Sequence, residues 1–157
     1  MEGVIFTPKE NEMFSYTVKY VCGQNAPPAS TPAPTCSPVR QGIYATEINI
    51  YNFNQSPAEV EKRVLQLVQN DKAVGREPES VPAKAFDKIV LKPETATMDD
   101  CCRFAEKLQF NPAHLNIGFL ELRSNVELNV VAVYTATDLK SNSIAIEVET
   151  ISARKLG

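Results

Sequence analysis

Two adjacent cysteines, Cys101 and Cys102, follow Asp99 and Asp100 in the stretch TATMDDCCRF, and residues of these types could do chemistry. A catalytic cysteine needs a thiolate that a helix N-terminus, a cation or a histidine stabilises. A helix that starts here would supply the first of these, but the two aspartates oppose ionisation of a neighbouring thiol. The one histidine, His114, lies beyond the expected end of that helix. The sequence therefore predicts no Cys–His nucleophile and no catalytic residue.

The chain has four cysteines, and the sequence leaves their pairing open. Cys22 and Cys36 flank a proline-rich stretch, so a bond between them would close that stretch into a loop. Each of them could instead reach Cys101, Cys102 or another copy of the chain, whereas a Cys101–Cys102 bond would strain the bridge geometry. Four free thiols are the alternative that a reducing compartment favours. The spacing matches neither a structural zinc site nor a calcium loop, so we predict no metal.

Two glutamates and three tyrosines are further candidates for catalysis or ligand binding. Glu47 and Glu121 lie in strand-like segments, and paired carboxylates in a cleft can hydrolyse glycosides. Strands commonly place solvated acids on their outer faces, which is the simpler interpretation. Tyr44, Tyr51 and Tyr134 could stack on a sugar, although strand tyrosines more often pair with neighbouring strands. Because glycine-rich phosphate loops, GxSxG and HExxH are missing from the sequence, we predict no enzyme and no cofactor.

The composition fits a folded chain and argues against two kinds of partner. With 157 residues, of which 43% are hydrophobic and 22% charged, the chain can form one domain with a sizeable core. A net charge of −3 and scattered basic residues argue against nucleic acid. No segment approaches the roughly 20 apolar residues of a membrane helix, and no signal peptide is visible. The cytoplasm is the default localisation, with a cell-surface or extracellular filament as the alternative.

The elements that must position these residues are mostly strands, because apolar and polar residues alternate along much of the chain. Ser124 and Asn125 separate two of the strands and predict a tight hairpin turn. A proline-rich loop at 23–39 and a second long loop at 73–85 interrupt the pattern. The alternating segments lie at 13–21, 42–52, 86–91, 117–123, 126–137 and 143–151.

Residues 58–69 carry signals of both a strand and a helix. Ser56 and Pro57 make a good helix start, and the apolar residues of the segment fit a helical stripe. The same residues also fit a strand, and the preceding strand invites a hairpin partner. We favour the strand and keep the helix as the alternative.

One short helix is predicted at residues 98–109. Thr97 is a good N-cap, and Asp99 and Asp100 then fall in the first turn, where the helix dipole favours negative charge. In this interpretation the first cysteine packs in the core and the sulfur of Cys102 faces outward. The apolar stripe of the helix consists of Met98, Cys101, Ala105 and Leu108.

These elements together predict a mainly β fold: an antiparallel, jelly-roll-like β-sandwich with one short helix. It would form a single domain at 13–157 after an N-terminal segment at 1–12. The stretches VRQGIYATEINIYN, VGREP, TATMDDCC, IGFLELRSNVELNVVAVYTA and IAIEVETI resemble a family of small bacterial β-sandwich proteins. The resemblance rests mainly on the GFLEL…VELNVVAVYTA motif. It implies a β-sandwich of short strands and carries no activity with it.

The predicted function is that of a non-enzymatic structural subunit. Copies of the chain would assemble into a homo-oligomer or a filament, which disulfides through Cys22, Cys36, Cys101 or Cys102 would stabilise. The residues Gly3, Val4, Ile5 and Phe6 could add to a neighbour's sheet edge. One alternative is a module that binds a carbohydrate or another ligand at its loops, and the other is a cysteine-dependent enzyme.

Overall fold

Strands make up most of the chain in the computed structural model, which describes residues 12–26 and 37–156. Within these ranges the strand pairings are antiparallel, so the prediction of a mainly β fold with one short helix is confirmed. The sandwich and jelly-roll forms of that fold remain predictions. The elements are β1 (Met13–Asn25), β2 (Gly42–Asn52), β3 (Ala58–Gln69), β4 (Lys72–Ala73), β5 (Lys84–Leu91), β6 (Thr95–Asp100), α1 (Cys101–Leu108), β7 (Asn116–Ser124), β8 (Asn129–Thr137), β9 (Ile144–Ile151) and β10 (Arg154–Leu156).

Strand β1 belongs to two sheets and changes from one to the other at Gly23. Its residues up to Cys22 pair with β7, and its first residues also pair with β10. From Gly23 to Asn25 it pairs with β2 instead. Gly23 has a φ of +97°, and a Cβ there would lie 1.8 Å from the backbone oxygen of His114, so this bend requires glycine.

The two sheets that meet at β1 contain all ten strands of the described residues. The first sheet has the order β10–β1–β7–β3–β5, with β4 also paired to β3. The second sheet has the order β6–β2–β8–β9. Strand β9 therefore lies at one edge of the second sheet, and β6 lies at the other edge and leads directly into α1.

One cluster of buried side chains takes residues from both sheets and from α1. Successive strand residues point to opposite faces, so every second residue can reach this cluster. Phe104 is the buried residue of α1, and its ring stacks on Tyr20 with the ring centroids 4.5 Å apart. Each large apolar side chain buried here stabilises the fold by roughly 1.5–3 kcal/mol. The largest members are Tyr16, Tyr20, Phe104, Ile48, Ile50, Leu120 and Leu122.

The predicted hairpin at Ser124 and Asn125 is wrong. β7 ends at Ser124, but β1 and β3 already occupy both of its edges. β8 therefore pairs with β2 and β9, and the connection crosses from the first sheet to the second. The hydroxyl of Tyr16 fixes this crossing, because it accepts a hydrogen bond from the N–H of Leu128 at 2.6 Å and donates one to the Leu128 carbonyl at 2.9 Å.

The helix starts at Cys101 and not at residue 98. Residues 95–100 form β6, because they pair with β2 along their whole length. The N-cap is Asp100 instead of Thr97, and its carboxylate accepts a hydrogen bond from the N–H of Arg103 at 2.9 Å. Both residues are good caps, so local preference could not decide between them, and the pairing with β2 does.

This shift changes which residues form the apolar stripe of α1. Met98 lies on β6 and is 48% exposed, whereas Phe104, which the stripe omitted, is fully buried. The predicted end of the helix is confirmed, since Gln109 follows in the left-handed conformation of a C-cap. With eight residues, α1 is too short to cross a membrane, and it is the one helix in the described ranges. Three residues of the predicted stripe do pack against the core: Cys101, Ala105 and Leu108.

The remaining predicted boundaries differ only in detail. Residues 58–69 form β3, so the favoured strand is confirmed. β1 continues to Asn25, past the predicted start of the proline-rich loop at 23–39, because its last residues pair with β2. The second long loop runs from residue 74 to 83, between β4 and β5. The segment at 1–12, apart from Glu12, lies outside the described residues.

Candidate functional site

A disulfide joins Cys22 to Cys101 at the place where β1 bends and α1 begins. Cys22 is 1% exposed and is the last residue of β1 before Gly23. The two Cα atoms are 5.6 Å apart, and the bond spans a sequence separation of 79 residues. The N–H of Thr46 donates to the sulfur of Cys101 at 3.2 Å, which also ties β2 to the bridge. Of the pairings that the sequence left open, this one occurs, so Cys101 is not a free thiol.

Cys102 is a free and exposed cysteine. It lines a shallow depression of about 260 Å³ together with Glu47, Asp100 and residues of β2 and β8. The described residues that line the depression include no lysine, arginine or histidine, so none of them supplies the cation that a cysteine nucleophile uses. Cys36, the remaining candidate, lies outside the described residues.

His114 has an aspartate as its partner instead of a cysteine. Its Nδ1 lies 2.5 Å from Oδ2 of Asp71, and the other carboxylate oxygen of Asp71 accepts a hydrogen bond from the N–H of Leu115 at 2.7 Å. The N–H of Asp71 donates in turn to the Leu115 carbonyl at 2.9 Å. These contacts hold the turn after β3 against the segment that enters β7. Across residues 12–26 and 37–156, no group of three or more His, Cys, Asp and Glu side chains could hold a metal ion.

A buried ion pair joins the two sheets. Nζ of Lys62 on β3 lies 2.7 Å from Oδ2 of Asp99 on β6, and their side chains are 3% and 2% exposed. Nε of Arg103 lies 3.8 Å from the other carboxylate oxygen of Asp99. Arg103 also donates to Oδ2 of Asp87 on β5 at 2.5 Å. The charges therefore neutralise one another and connect β3, β5, β6 and α1.

This ion pair was not predicted, although the sequence contains one signal for it. Lys62 stands midway between Val60 and Val64, so strand alternation puts the three side chains on one face, and that face is buried. The sequence pattern instead places Asp99 in the first turn of the predicted helix. In the structure Asp99 lies on β6 opposite Ile48 of β2 and is 1% exposed.

The two glutamates with possible glycosidase geometry occupy different sites. Glu121 lies on β7, where Arg63 donates to its carboxylate at 2.6 Å and Arg123 donates at 2.7 Å. Glu47 lies on β2, beside the depression around Cys102. The three tyrosines do not share one face either. Alternation and strand register place Tyr44 and Tyr134 on the face of the second sheet opposite to that of Tyr51.

Lowering the pH should weaken the cluster around Glu121. Burial alone would raise the pKa of this carboxyl, but the hydrogen bonds from Arg63 and Arg123 outweigh burial and hold its pKa below the ordinary 4.5. Since the folded-state pKa is the lower one, the cluster stabilises the fold above pH 4.5 and loses this contribution as the pH falls through the folded-state value. In urea unfolding below pH 4.5, Glu121→Gln should lose stability less steeply than the wild type. Glu59→Gln, at an exposed strand position, is the control, and a parallel decline for Glu121→Gln would contradict the assignment.

Strand β9 is an exposed edge strand with an apolar side. It pairs with β8 along one edge, and no described residue pairs with the other edge. Ile144, Ile146 and Val148 point to one side and are 67%, 67% and 64% exposed. We call these three side chains with the free edge of β9 the β9 surface. The side chains of Val133 and Thr135 on β8 continue this apolar strip toward Cys102.

A cavity of about 710 Å³ lies on the first sheet, which we call the loop-side cavity. Its floor consists of Val21, Val68 and Ile117, side chains of a second, smaller buried cluster. Its walls come from the two ends of the proline-rich loop and from the loop after β4. Two cationic side chains, Lys19 and Arg76, are among the lining residues.

Comparisons with known proteins add little to this geometry. No family model matches the chain, and no curated protein matches it. Among solved structures, the chain is similar to "Crystal Structure of Thermotoga maritima 1070", with 12% sequence identity and a TM-score of 0.44 over 90% of this chain and 91% of that chain. A likeness of this degree carries no argument about fold or function. The family resemblance of the GFLEL…VELNVVAVYTA motif stays a prediction.

Proposed function

We propose that this protein is a structural subunit that associates with copies of itself through the β9 surface. The observation that carries the proposal is the exposure of β9, where three large apolar side chains stand side by side next to an unpaired strand edge. Such an edge is a template for pairing with another strand, and proteins usually protect it with charge or cover. On one face of β9 the exposed side chains are apolar, so a partner strand at the free edge would place its own side chains beside them and reduce their contact with water. The proposed N-terminal segment at Gly3 to Phe6 lies outside the described residues and is not needed for this contact.

The sequence of β9 is self-complementary when two copies run antiparallel. With Ile146 opposite Ile146 of the second copy, Ile144 and Val148 also face each other. Glu147 then lies opposite Ala145, and Glu149 opposite Ser143. A register centred on Val148 would instead place Glu147 opposite Glu149, and like charges directly opposite are destabilising. The register centred on Ile146 therefore pairs all three apolar residues and keeps the acids apart.

A contact of this kind is two-fold symmetric and closes at two copies. It would join two copies of the second sheet into one continuous sheet. A filament would need another surface in addition. The dimer is thus the unit that β9 supports, and the cysteine bridge between β1 and α1 would stabilise each subunit instead of the contact.

The charge variant Val148→Lys is expected to convert the protein to a monomer. A lysine at 148 would replace the apolar cross-strand pair with Ile144 of the second copy by a charged side chain, and charge on an edge strand opposes pairing with another strand. Analytical ultracentrifugation over a wide concentration range should show twice 17.3 kDa for the wild type and 17.3 kDa for the variant. Val90 on β5 is 66% exposed, close to the 64% of Val148, so Val90→Lys is a matched control that should remain dimeric.

Two results would refute the proposal. One is a wild-type chain that stays monomeric up to millimolar concentration. The other is a dimer that Val90→Lys dissociates and Val148→Lys does not. Parallel runs with Cys102→Ala separate association through β9 from cross-linking by the exposed thiol.

A further inference from the structure

The loop-side cavity has the size and floor of a small-molecule site. Its volume of about 710 Å³ falls inside the range of roughly 300–1,000 Å³ that is common for ligand pockets. Val68 and Ile117 in its floor are 5% and 4% exposed, and they pack with Leu115 and with Val21. The bulge of β3 at Gln66–Val68 makes this floor, because it brings Val68 opposite Ile117 on β7. An apolar group placed here would meet a preformed apolar surface.

The cavity also presents two cations that lack carboxylate partners among the described residues. Lys19 is half-buried on β1, with Nζ 4.8 Å from the ring centroid of Phe119, and no described acidic group pairs with it. Burial lowers the pKa of Lys19, which means that its ammonium has lost water without gaining a counter-ion. Arg76 lies on the loop after β4 and forms no described ion pair either. Asp71, the acidic residue in the lining, is already bonded to His114 and to the N–H of Leu115.

The connecting segment cannot supply the missing charge. Ala26 and Ser37 line the cavity, and residues 27–36 join them. The sequence of that segment, PPASTPAPTC, contains no aspartate or glutamate. Neither the connecting segment nor the described lining of the cavity therefore supplies a free carboxylate to Lys19 and Arg76.

We propose that the loop-side cavity binds a small organic anion with an apolar body. The apolar part would lie on Val21, Val68 and Ile117, and the carboxylate would face Lys19 and Arg76. Charge-assisted hydrogen bonds to the two cations would fix the orientation of the ligand. The proposal is independent of association through β9, because the cavity lies on the first sheet and β9 lies at the edge of the second.

Titration with octanoate tests this proposal, with octan-1-ol as the uncharged probe of the same length. In ¹⁵N–¹H spectra of the Val148→Lys variant, octanoate should shift the amide signals of Val21, Val68 and Ile117 saturably. Octan-1-ol should bind about tenfold more weakly, since it has no carboxylate to form charge-assisted hydrogen bonds with Lys19 and Arg76. Lys19→Met and Arg76→Met should each weaken octanoate binding by about tenfold. Lys88→Met, on β5, is the control and should bind like the parent.

The titration can contradict the proposed anion and the proposed site separately. Equal binding of octanoate and octan-1-ol would overturn the anion part of the proposal. An absence of saturable shifts at the three floor residues, or shifts confined to β9, would overturn the site itself. Arg76 is exposed, so Arg76→Met keeps the test valid if Lys19→Met fails to fold.

Discussion

Replacing both bridged cysteines by alanine is expected to lower the free energy of unfolding by about 4 kcal/mol. The disulfide closes a loop with a sequence separation of 79 residues, and cross-linking residues so far apart removes much of the entropy of the unfolded chain. For a domain of this size, a decrease of about 4 kcal/mol in the free energy of unfolding lowers the melting temperature by roughly 10 °C. Alanine is the better replacement, because a serine hydroxyl at buried Cys22 would need a hydrogen-bond partner.

Thermal unfolding with and without dithiothreitol measures the effect. The wild type should melt at a lower temperature in the reductant, and Cys22→Ala/Cys101→Ala should melt at that lower temperature in both buffers. Cys102→Ala should behave like the wild type, because Cys102 is outside the bridge. A wild type whose melting temperature does not respond to full reduction would contradict the stabilising role of the bond.

Asp99→Ala is expected to cost about 3–5 kcal/mol of stability, because it leaves the ammonium of Lys62 buried without its counter-ion. The two side chains are 3% and 2% exposed, so water cannot replace the missing carboxylate without opening the core. Replacing both partners by apolar residues of similar size, Lys62→Met with Asp99→Leu, should recover most of the loss. Buried pairs gain little over well-packed apolar residues, whereas a single buried charge is expensive.

Urea unfolding of Lys62→Met, of Asp99→Leu and of the variant that carries both substitutions gives the coupling free energy of the pair. Lys107→Met provides a comparison at the surface, since Lys107 is half-exposed and 3.8 Å from Asp87. That substitution should change the free energy of unfolding by no more than about 1 kcal/mol. If Asp99→Ala and Lys107→Met cost the same, the Lys62–Asp99 pair is not isolated from water as described.

The sequence predicts the strands well because alternation records which side of a strand is buried. It misplaces the start of α1, since Thr97 and Asp100 are both good caps and the deciding contact lies on β2, far away in sequence. It also misses the Lys62–Asp99 pair, because hydropathy assigns charged residues to the solvent. The predicted Ser124–Asn125 hairpin is wrong for a related reason. Turn residues indicate that the chain changes direction, but they do not indicate which sheet the next strand joins.

The candidate sites depend still more on tertiary structure. The sequence could name Cys22 and Cys101 as bridge candidates, but only the bend of β1 at Gly23 and the start of α1 bring them together. The exposure of β9 follows from its place at a sheet edge, which alternation alone does not reveal. The loop-side cavity lies between two loops and the first sheet, and these segments are far apart in sequence. A local sequence pattern therefore does not predict the cavity.

The partner strands of β1 also determine how long this strand stays unpaired during translation. Its main neighbour, β7, is made roughly a hundred residues later, which at 5–20 residues per second is a delay on the order of 10 s. Throughout that interval the apolar residues of β1 have no strand to pair with, and β10 on its other edge comes later still. The core-facing residues of β1 therefore stay without their main partner strand until most of the chain has been made.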